Sequence, residues 1–338
     1  MDEKKEFKNC LFLSFDLDLT GNKLYEEMTN IGVYGNNASF KQYVMPYRDV
    51  NVYALRKSLL KTSNLYDFRV LRNVSTGKIV RTKTEIFALN DFLSFLEAQN
   101  TKNNGICLMC FEASKLVPFI LIEALRRYKL FDRFKKTVRA FVDCFGFVKD
   151  KCYTTIPKFT LQTLVKILLN RDNEKLHDAH ERTRLVYEIV SHLSEGESQN
   201  KSQDLALGVL PFVTSVDNVV LELDKLKDFL QKQKSVTPIF INQIKVPNLR
   251  LKALRLRKLL TSTDITYDSL QEAHQAKADL KELVKPKLDE GVPDKDVTAL
   301  VSIITAHFQK SLNLKLKVEN TFKNKNTKQP QGNSQQLV

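Results

Sequence analysis

The chain has 338 residues, of which 43% are hydrophobic and 27% are charged, with only ten Gly and nine Pro. These proportions are those of a globular protein and exclude a fibrous, low-complexity or wholly disordered chain, and the length predicts two domains. The formal net charge of +14 favours a polyanionic partner, and nucleic acid is the commonest of these. A basic charge alone also fits a protein that binds nothing specifically.

Nothing in the sequence indicates a membrane segment or secretion. No apolar run reaches the roughly 20 residues that span a bilayer, and the polar start of the chain lacks the apolar core of a signal peptide. The five Cys at positions 10, 107, 110, 144 and 152 lie in apolar segments. Such an odd, scattered set indicates free buried thiols in a reducing compartment, so we expect a cytoplasmic protein.

Residues 1–194 alternate strand-like and helix-like segments. Apolar or alternating runs predict strands at 10–18, 31–34, 40–47, 106–111 and 138–148. Helical spacing predicts one helix that follows a capping box of Thr82 and Glu85, and further helices at 116–128, 160–170 and 178–194. Three neighbouring strands followed by alternating strands and helices predict an α/β domain with a mixed sheet flanked by helices.

A polar segment at 195–203, which contains no apolar residue, predicts a linker between two domains. Beyond it, apolar residues recur at helical spacing between Pro, Ser, Thr and Asp breaks, which predicts an all-helical domain at 204–312. The predicted helices cover 216–232, 249–260, 270–284 and 297–308. Residues 313–338 are rich in Lys, Asn and Gln, so we expect a disordered basic tail.

Asp16 and Asp18 stand at the end of the first predicted strand. Side chains at i and i+2 of a strand leave the same face, so both carboxylates could bind one metal ion. The pair alone is equally well explained as a solvated strand end. The order of strands and helices that follows, with Pro118 in the first turn of a helix, resembles the DEDD-type 3′–5′ exonucleases, which have a ribonuclease-H-like fold. This resemblance covers roughly residues 8–194.

The resemblance implies an active site of four carboxylates that hold two divalent ions, and the chain departs from that pattern. Asp16 and Asp18 match the first two acids, although the second is usually Glu. Leu116 stands in the place of the third acid, and Arg182 stands in the place of the fourth, five residues after His177. Two acids and one cation sum to about −1, which is too little to hold two Mg²⁺ ions. We therefore predict an inactive domain with no metal, no cofactor and no catalytic residue.

Arg182 has its own predicted role beside the two remaining acids. We predict that it forms an ion pair with Asp16, Asp18 or both, so that these carboxylates stay charged without a metal ion. The alternative is an Arg182 that points to solvent. For the whole chain, the alternative functions are a divergent exonuclease that uses one metal ion or ligands from elsewhere, and a protein scaffold whose charge only confers solubility.

A closer resemblance extends over most of the chain. Segments 15–21, 42–47, 83–97 and 119–128, followed by 219–224 and 237–242, look like the Exuperantia family of insect maternal-mRNA localisation proteins. The resemblance spans about residues 10–310 and implies a degenerate exonuclease domain joined to a SAM-like helical domain. It also implies a homodimer that binds structured mRNA in its 3′ untranslated region, in cytoplasmic ribonucleoprotein particles, without catalysis.

Two cation-rich segments are the predicted RNA contacts, because cations that neutralise phosphates release counterions and aromatic rings stack on unpaired bases. In 126–139, seven cations stand against one acid, interleaved with Tyr128, Phe131 and Phe134, which we expect to belong to the core. In 245–258 no acid intervenes. The predicted contacts are Arg126, Arg127, Lys129, Arg133, Lys135, Lys136, Arg139, Lys245, Arg250, Lys252, Arg255, Arg257 and Lys258.

Three further patterns carry weaker predictions. Helical spacing in the second cation-rich segment predicts one buried stripe, formed by Leu249, Ala253, Leu256 and Leu260. Cys107 and Cys110 have CxxC spacing, but no second pair accompanies them, so we predict a core strand there. The histidines at 177, 180 and 192 lack a fourth ligand in the sequence pattern, so we predict no zinc site.

Overall fold

The computed structural model describes residues 2–35, 37–100, 104–172, 174–195, 201–288 and 291–326, and for 2–5, 201–203 and 311–326 it describes the backbone alone. The chain divides into two compact units, Met1–Leu223 and Asp224–Val338. Each unit has a hydrophobic core of its own.

The first unit is built on a seven-stranded mixed sheet. Its strands are β1 (Leu11–Leu19), β2 (Met28–Gly35), β3 (Ala38–Val44), β6 (Thr82–Lys83), β7 (Ile106–Cys110), β8 (Val138–Asp143) and β9 (Val213–Ser215). Their order is β6-β3-β2-β1-β7-β8-β9, and β1 pairs antiparallel with β2 and parallel with β7. A separate two-stranded sheet contains β4 (Leu60–Leu65) and β5 (Phe68–Asn73), which pair antiparallel. All five residues of β7 are buried, as expected where helices cover both faces of parallel strands.

Helices flank this sheet, as predicted. They are α1 (Val52–Ser58), α2 (Glu85–Gln99), α3 (Leu116–Arg127), α4 (Phe131–Thr137), α5 (Cys144–Cys152), α6 (Leu161–Leu168), α7 (Ala179–Leu193) and α8 (Lys201–Val209). Residues Asp2–Asn9 form a 3₁₀ helix before the sheet. Helix α7 packs on β1 and β2, which brings its first turn to the predicted acidic strand end.

Two local predictions in this unit are corrected. The predicted strand at 138–148 ends at Asp143, because the Asp143 side chain accepts a hydrogen bond from the Gly146 amide at 2.8 Å and starts α5. Helix α2 begins after Thr84, which makes no side-chain cap bond, so Thr82 and Glu85 do not form the predicted capping box. Helix α1 and the β4–β5 hairpin have no counterpart in the prediction.

The first unit continues past the predicted linker at 195–203. Residues 196–200 lie outside the described residues. Leu205, Val209 and Val213 are buried in the core of the first unit, and β9 pairs antiparallel with β8. The structure therefore assigns residues 204–223 to the first unit and not to the helical domain, because their apolar side chains complete the first core.

The second unit is helical, as predicted. Its helices are α9 (Val216–Ile244), which begins in the first unit, α10 (Pro247–Ser262), α11 (Tyr267–Gln275), α12 (Leu280–Val284) and α13 (Asp294–Asn326). The predicted helix at 270–284 is two helices, because Lys277 has a left-handed backbone (φ 55°) that ends the first. No helix in the described part of the chain combines the length and the apolarity that crossing a membrane requires.

The prediction of a disordered tail from residue 313 is corrected for its first half. Helix α13 continues to Asn326, through a stretch in which Leu and Lys alternate. Both residues have high helix propensity, and extending an existing helix requires no new nucleus. Residues 327–338 of the predicted tail lie outside the described residues.

Candidate functional site

The two predicted acids and Arg182 come together where α7 packs on β1. Arg182 lies in the first turn of α7, and its Nε atom is 2.6 Å from Asp16 Oδ2. Its Nη2 atom is 2.7 Å from Asp18 Oδ1, and its Nη1 donates to the Leu176 carbonyl at 3.1 Å. The predicted ion pair is confirmed, and one guanidinium bridges both carboxylates.

The backbone of α7 itself reaches Asp18. The Ala179 amide and the Asn30 side-chain amide both donate to Asp18 Oδ2, each at 3.2 Å. Gly32 on β2 allows this approach, because a Cβ atom there would lie 2.5 Å from the backbone nitrogen of His180. The absence of a side chain at position 32 therefore sets the distance between α7 and the acidic strand.

Asp178 caps α7 and ties it to the neighbouring strand β3. Its Oδ1 accepts from the His180 amide at 2.9 Å, and its Oδ2 accepts from Lys41 Nζ and from the Tyr43 hydroxyl at 3.1 Å. Burial alone would raise the pKa of Asp178, but the hydrogen bond and charge of Lys41 hold that pKa below its ordinary value. The cap is thus ionised and fixes the register of α7 on the sheet.

Within the Arg182 cluster, burial and neighbouring charges shift the pKa values in opposite directions, and the effect of the charges is larger. The side chain of Arg182 is 8% exposed and that of Asp18 is 1% exposed. Burial would raise the pKa of Asp16, but the Arg182 charge holds it below its ordinary value. The two carboxylates likewise raise the pKa of Arg182 against the effect of its burial. Asp16 and Arg182 therefore both stay ionised.

The carboxylate oxygens at this site do not fit the pair of divalent ions that the exonuclease pattern implies. Asp16 Oδ1 accepts from the Leu17 amide at 2.8 Å and Oδ2 from Arg182, while both oxygens of Asp18 accept the bonds given above. Mg²⁺ requires oxygen ligands in near-octahedral geometry. In the described residues, no three His, Cys, Asp or Glu side chains are arranged to hold a metal ion.

A cavity of about 260 Å³ adjoins Asp18 and contains an acid that the sequence analysis missed. Leu116 lines this cavity, in the place predicted for the third acid of the exonuclease pattern, together with Lys57 and Glu112. Burial is the main cause that raises the pKa of Glu112 to about 7, and the charge of Asp16 adds to it. Glu112 also accepts from the Val117 amide at 2.5 Å, at the start of α3.

Glu112 could have been found from its position. It follows the predicted buried strand β7 and precedes the predicted helix α3, which is where a side chain caps the first turn of a helix.

Two of the histidines in the described part of the chain bond to groups outside the acidic site. His177 donates through Nδ1 to the Lys57 carbonyl at 3.1 Å, and His180 bonds through Nε2 to the Ser39 hydroxyl at 2.8 Å. The five Cys are free and buried, and Cys107 and Cys110 lie on β7, where a core strand was predicted.

Four of the seven cations in the first cation-rich segment, 126–139, form ion pairs with acids of the same fold. Arg133 bonds to both oxygens of Glu97 at 2.7 Å, and Arg127 lies 2.6 Å from Glu85. Lys135 pairs with Asp217 at 2.5 Å and Arg126 with Glu123 at 3.7 Å. These acids lie on α2, α3 and α9. They are outside the segment 126–139, so the count of charges within that segment did not include them.

The remaining cations of that segment face solvent. Lys129, Lys136 and Arg139 are exposed and form no ion pair with any residue that the structure describes. Phe134 is fully buried, which confirms the core prediction for that ring, and Tyr128 and Phe131 are partly buried.

The second cation-rich segment, 245–258, divides in the same way. Arg255 pairs with Asp296 at 2.6 Å. Arg257 points inward and donates to Thr237 Oγ1 at 3.2 Å and Gln233 Oε1 at 3.3 Å, and burial lowers its pKa. Arg255 is nevertheless exposed, and the exposed cations that form no ion pair with a described residue are Lys245, Arg250, Lys252 and Lys258. The predicted buried stripe is corrected at Leu249, which is 46% exposed, while its other three residues are buried.

Comparisons with known proteins agree with this fold. Residues 10–168 match the sequence model of the Exuperantia RNAse H-like domain. The chain is 28% identical to maternal protein exuperantia-1 of Drosophila pseudoobscura pseudoobscura, over 92% of this chain and 72% of that protein. It is 28% identical to maternal protein exuperantia of Drosophila virilis and 26% identical to that of Drosophila melanogaster, over 78% of this chain and 62% of each relative.

Solved structures show a more distant likeness. A 3′-exonuclease that recognises the histone mRNA stem-loop is 12% identical, with a TM-score of 0.39, over 62% of this chain and 72% of that one. The nuclease domain of 3′hExo, a DEDDh family member bound to rAMP, is 14% identical, with a TM-score of 0.37, over 53% of this chain and 88% of that one.

Proposed function

We propose that this chain is a non-catalytic, RNA-binding protein of mRNA localisation. The premise is that it carries an Exuperantia RNAse H-like domain over residues 10–168 and is homologous to exuperantia proteins over most of its length. The proposal has two parts, the loss of nuclease chemistry and the retention of RNA affinity. Its partners are structured mRNA, including 3′ untranslated regions, and a second copy of the chain. Its proposed site of action is cytoplasmic ribonucleoprotein particles. Since its relatives are named maternal proteins, the proposal includes a role in egg development.

The arginine bridge between Asp16 and Asp18 is the observation that carries the non-catalytic part. Two-metal hydrolysis needs carboxylates that are free to bind cations, and here a buried cation already occupies the space between them. Asp16, Asp18, Arg182 and Lys57 sum to zero charge. Glu112 adds at most one negative charge, and it is only about half ionised near neutral pH because its pKa is about 7.

A nuclease assay tests this part directly. The protein is incubated with end-labelled single-stranded RNA and Mg²⁺ or Mn²⁺, and the RNA is expected to keep its full length. Progressive shortening that Asp16→Ala abolishes would contradict the proposal and establish the exonuclease alternative. Shortening that survives Asp16→Ala would identify a contaminating nuclease, because an exonuclease of this fold needs Asp16. A second purification would then remove the contaminant before the assay is repeated.

A double substitution tests the inferred geometry of the site. Arg182→Asp with Leu116→Asp restores four acids around the strand end, so Mn²⁺ is expected to raise the thermal midpoint of this variant and not that of the unmodified protein. The matched control is Arg171→Asp with Leu169→Asp, which adds the same charge outside the site. A midpoint of the site variant that ignores Mn²⁺ would show that these four positions do not converge.

The basic charge and its exposure support the RNA-binding part. The net charge of +14 is distributed so that seven of the predicted contacts remain exposed without an ion pair among the described residues. They are Lys129, Lys136, Arg139, Lys245, Arg250, Lys252 and Lys258. Exposed cations of this kind bind phosphates with counterion release and without reading sequence.

Fluorescence anisotropy with a labelled RNA stem-loop measures this affinity. Arg250→Glu with Lys252→Glu is expected to weaken binding and to reduce its salt dependence. Arg255→Gln serves as the control, because the side chain already pairs with Asp296. Absence of RNA binding by the unmodified protein would favour the scaffold alternative, in which charge only confers solubility.

The proposed homodimer is tested separately by light scattering during gel filtration. A mass of two chains is expected, and a dimer would raise RNA affinity because two modest sites act at high effective concentration. A monomer across a range of concentrations would remove this part of the proposal and leave RNA binding intact.

The exonuclease alternative has one observation in its favour, the presence of Glu112 beside Asp18. A third acid at this cavity could take part in binding one metal ion. Glu112 is already engaged with the Val117 amide, however, and Arg182 covers the adjoining carboxylates. The nuclease assay above decides between the two functions.

A further inference from the structure

Residues 47–81 form a further cation-rich region outside the two predicted contact segments. They contain eight Lys or Arg and two Asp. The segment includes α1 and the β4–β5 hairpin, and it connects β3 with β6. We call it the hairpin segment.

The hairpin has one buried face and one outward face, of which Lys61, Leu65 and Phe68 are exposed while Ser63, Val70 and Arg72 are half-buried. Leu60, Thr62 and Leu71 are buried on the first face. On the opposite face Lys61 lies directly across from Arg72, and Leu65 lies across from Phe68. Like charges in directly opposed positions destabilise an antiparallel pair. The outward face therefore carries an unfavourable charge pair that its own fold leaves uncompensated.

The end of the same face is aromatic and exposed. Phe68 is 74% exposed, Tyr66 at the turn is 91% exposed, and Leu65 is 41% exposed. A cluster of large, exposed apolar side chains at one end of a hairpin is typical of a surface that contacts a partner.

Most cations of the hairpin segment form no ion pair with a described residue, although Arg48 lies 4.0 Å from Glu27. Arg69 pairs with Asp49 at 2.7 Å, on the inner side. Arg56, Lys61, Arg72, Lys78 and Arg81 form no ion pair with residues in the described ranges. This distinguishes the hairpin segment from 126–139, where acids on helices take up more than half of the cations.

We propose that the outward face of the β4–β5 hairpin binds single-stranded RNA, with bases stacked on Phe68 and Tyr66 and phosphates held by Lys61 and Arg72. The inference rests on the proposed RNA-binding function and adds a contact surface to it. Phosphates between Lys61 and Arg72 would remove the repulsion between these two cations, and aromatic faces stack on any base. The ligand class therefore accounts for both halves of the face.

A second copy of the chain fits this face less well. In a two-fold symmetric contact the same patch meets itself, so the Lys61–Arg72 pairs of both copies would approach one another without acids between them. The hairpin segment has six more cations than acids (eight minus two), which is complementary to a polyanion and not to itself.

The length of the face sets the expected site size. From Lys61 to Leu65 is four residues, or about 13 Å along a strand. Stacked nucleotides rise about 3.4 Å each, so the face accommodates about four of them.

The test measures binding of a fluorescein-labelled oligouridylate of about 12 nucleotides, which forms no stable hairpin of its own. Lys61→Ala with Phe68→Ala and Arg72→Ala is expected to weaken binding at least about tenfold, because it removes a stacking ring and two phosphate-binding cations. It should also reduce the slope of log K against log salt by about 1.4, since each phosphate of a single strand that a cation neutralises adds about 0.7 to that slope.

A matched variant removes the same groups elsewhere. Lys149→Ala with Lys151→Ala and Tyr153→Ala deletes two exposed cations and one ring that is 72% exposed, and it is expected to leave affinity and slope unchanged. If the unmodified protein binds the RNA and the hairpin variant binds it equally tightly with the same slope, the inference falls and the proposed function stands. If the unmodified protein binds no RNA, both fall.

A single substitution separates RNA binding from folding. Lys61→Glu places an acid opposite Arg72, so the thermal midpoint is expected to rise while RNA affinity falls. A hairpin variant with normal RNA affinity but an altered mass in light scattering would instead assign the face to a second copy of the chain and overturn the inference.

Discussion

Charged side chains serve opposite purposes at the Arg182 cluster and on the hairpin segment. At Arg182 one buried cation bridges two carboxylates, so each of the three charges has a partner of opposite sign within the fold. On the hairpin, an exposed Lys61 and a half-buried Arg72 stand opposite each other without an acid between them. The difference shows that the net charge of a chain does not measure the charge that a partner can use.

The segment 126–139 lies between these two extremes. In sequence it has seven cations and one acid, yet Arg127, Arg133 and Lys135 are paired with acids 36–82 positions away. The available charge is thus decided by tertiary contacts. Substitutions can test whether tertiary contacts decide which cations are available. They compare buried cations with exposed ones, and paired cations with unpaired ones.

The largest effect is expected at Arg182. Arg182→Ala would leave a buried Asp18 and a half-buried Asp16 without their bridging cation, at a cost of about 3–5 kcal/mol in the free energy of unfolding. Arg171→Ala is the control, since Arg171 pairs with Glu188 at 2.6 Å but its side chain is 45% exposed, and it should cost less than about 1 kcal/mol. Urea denaturation of both variants measures the difference. Equal costs would show that the Arg182 cluster is not a buried, coupled unit.

The next effect depends on pH through Glu112. Its folded pKa of about 7 exceeds the ordinary 4.5, so its contribution to stability is present below pH 4.5 and is lost as pH rises to about 7. Glu112→Gln should therefore match the unmodified protein near pH 4.5 and exceed it by about 1–3 kcal/mol at pH 8. Thermal or urea unfolding across this range measures the effect.

Glu97 provides a control of opposite sign. The hydrogen bond from Arg133 lowers the pKa of Glu97, so its contribution is present above the ordinary pKa and is lost as pH falls. Glu97→Gln should therefore lose stability at neutral pH relative to acid pH. The same pH trend in both variants would contradict the assignment of Glu112 as a buried, partly protonated acid.

A smaller effect separates two cations of the 126–139 segment. Arg133→Ala removes the paired bonds to Glu97 and should cost about 1 kcal/mol of stability without changing RNA affinity. Lys136→Ala, at an exposed position, should leave stability unchanged and weaken RNA binding slightly. Denaturation and anisotropy on the same two samples measure both quantities. A stability loss at Lys136 with none at Arg133 would reverse our division of this segment.

The smallest effect is expected at Arg257. This arginine also points inward, but its hydrogen bonds go to the neutral side chains of Thr237 and Gln233, and its Nε atom lacks a partner among the described residues. Arg257→Met should therefore change stability by less than about 0.5 kcal/mol and leave RNA affinity unchanged. A loss as large as that at Arg182 would show that a buried arginine stabilises this fold even without an acidic partner.

The mixed sheet and the acidic site could be predicted because local patterns determine them. The two-residue period of β1 placed Asp16 and Asp18 on one face, and the resemblance to the DEDD-type exonucleases placed Leu116 and Arg182 beside them. The β4–β5 hairpin was missed because its strands lack a clear alternation of apolar and polar residues. The predicted strand at 144–148 was wrong because side-chain capping by Asp143 outweighed the apolar run.

The pairing of the surface cations could not be predicted from local patterns. Arg133 and Glu97 are 36 positions apart and meet only when α4 packs beside α2. Arg257 lies on a helix whose spacing indicated an outward position, yet it is half-buried and donates to Thr237 and Gln233.

Gly32 gives the acidic site a determinant that has neither charge nor side chain. Since a methyl group at this position would collide with the backbone of α7, it would push the first turn away from β2 and carry the guanidinium with it. Comparative surveys that score only the titratable positions of such sites would overlook this constraint. The space that Gly32 leaves on β2 therefore determines which side chains can meet at the end of β1.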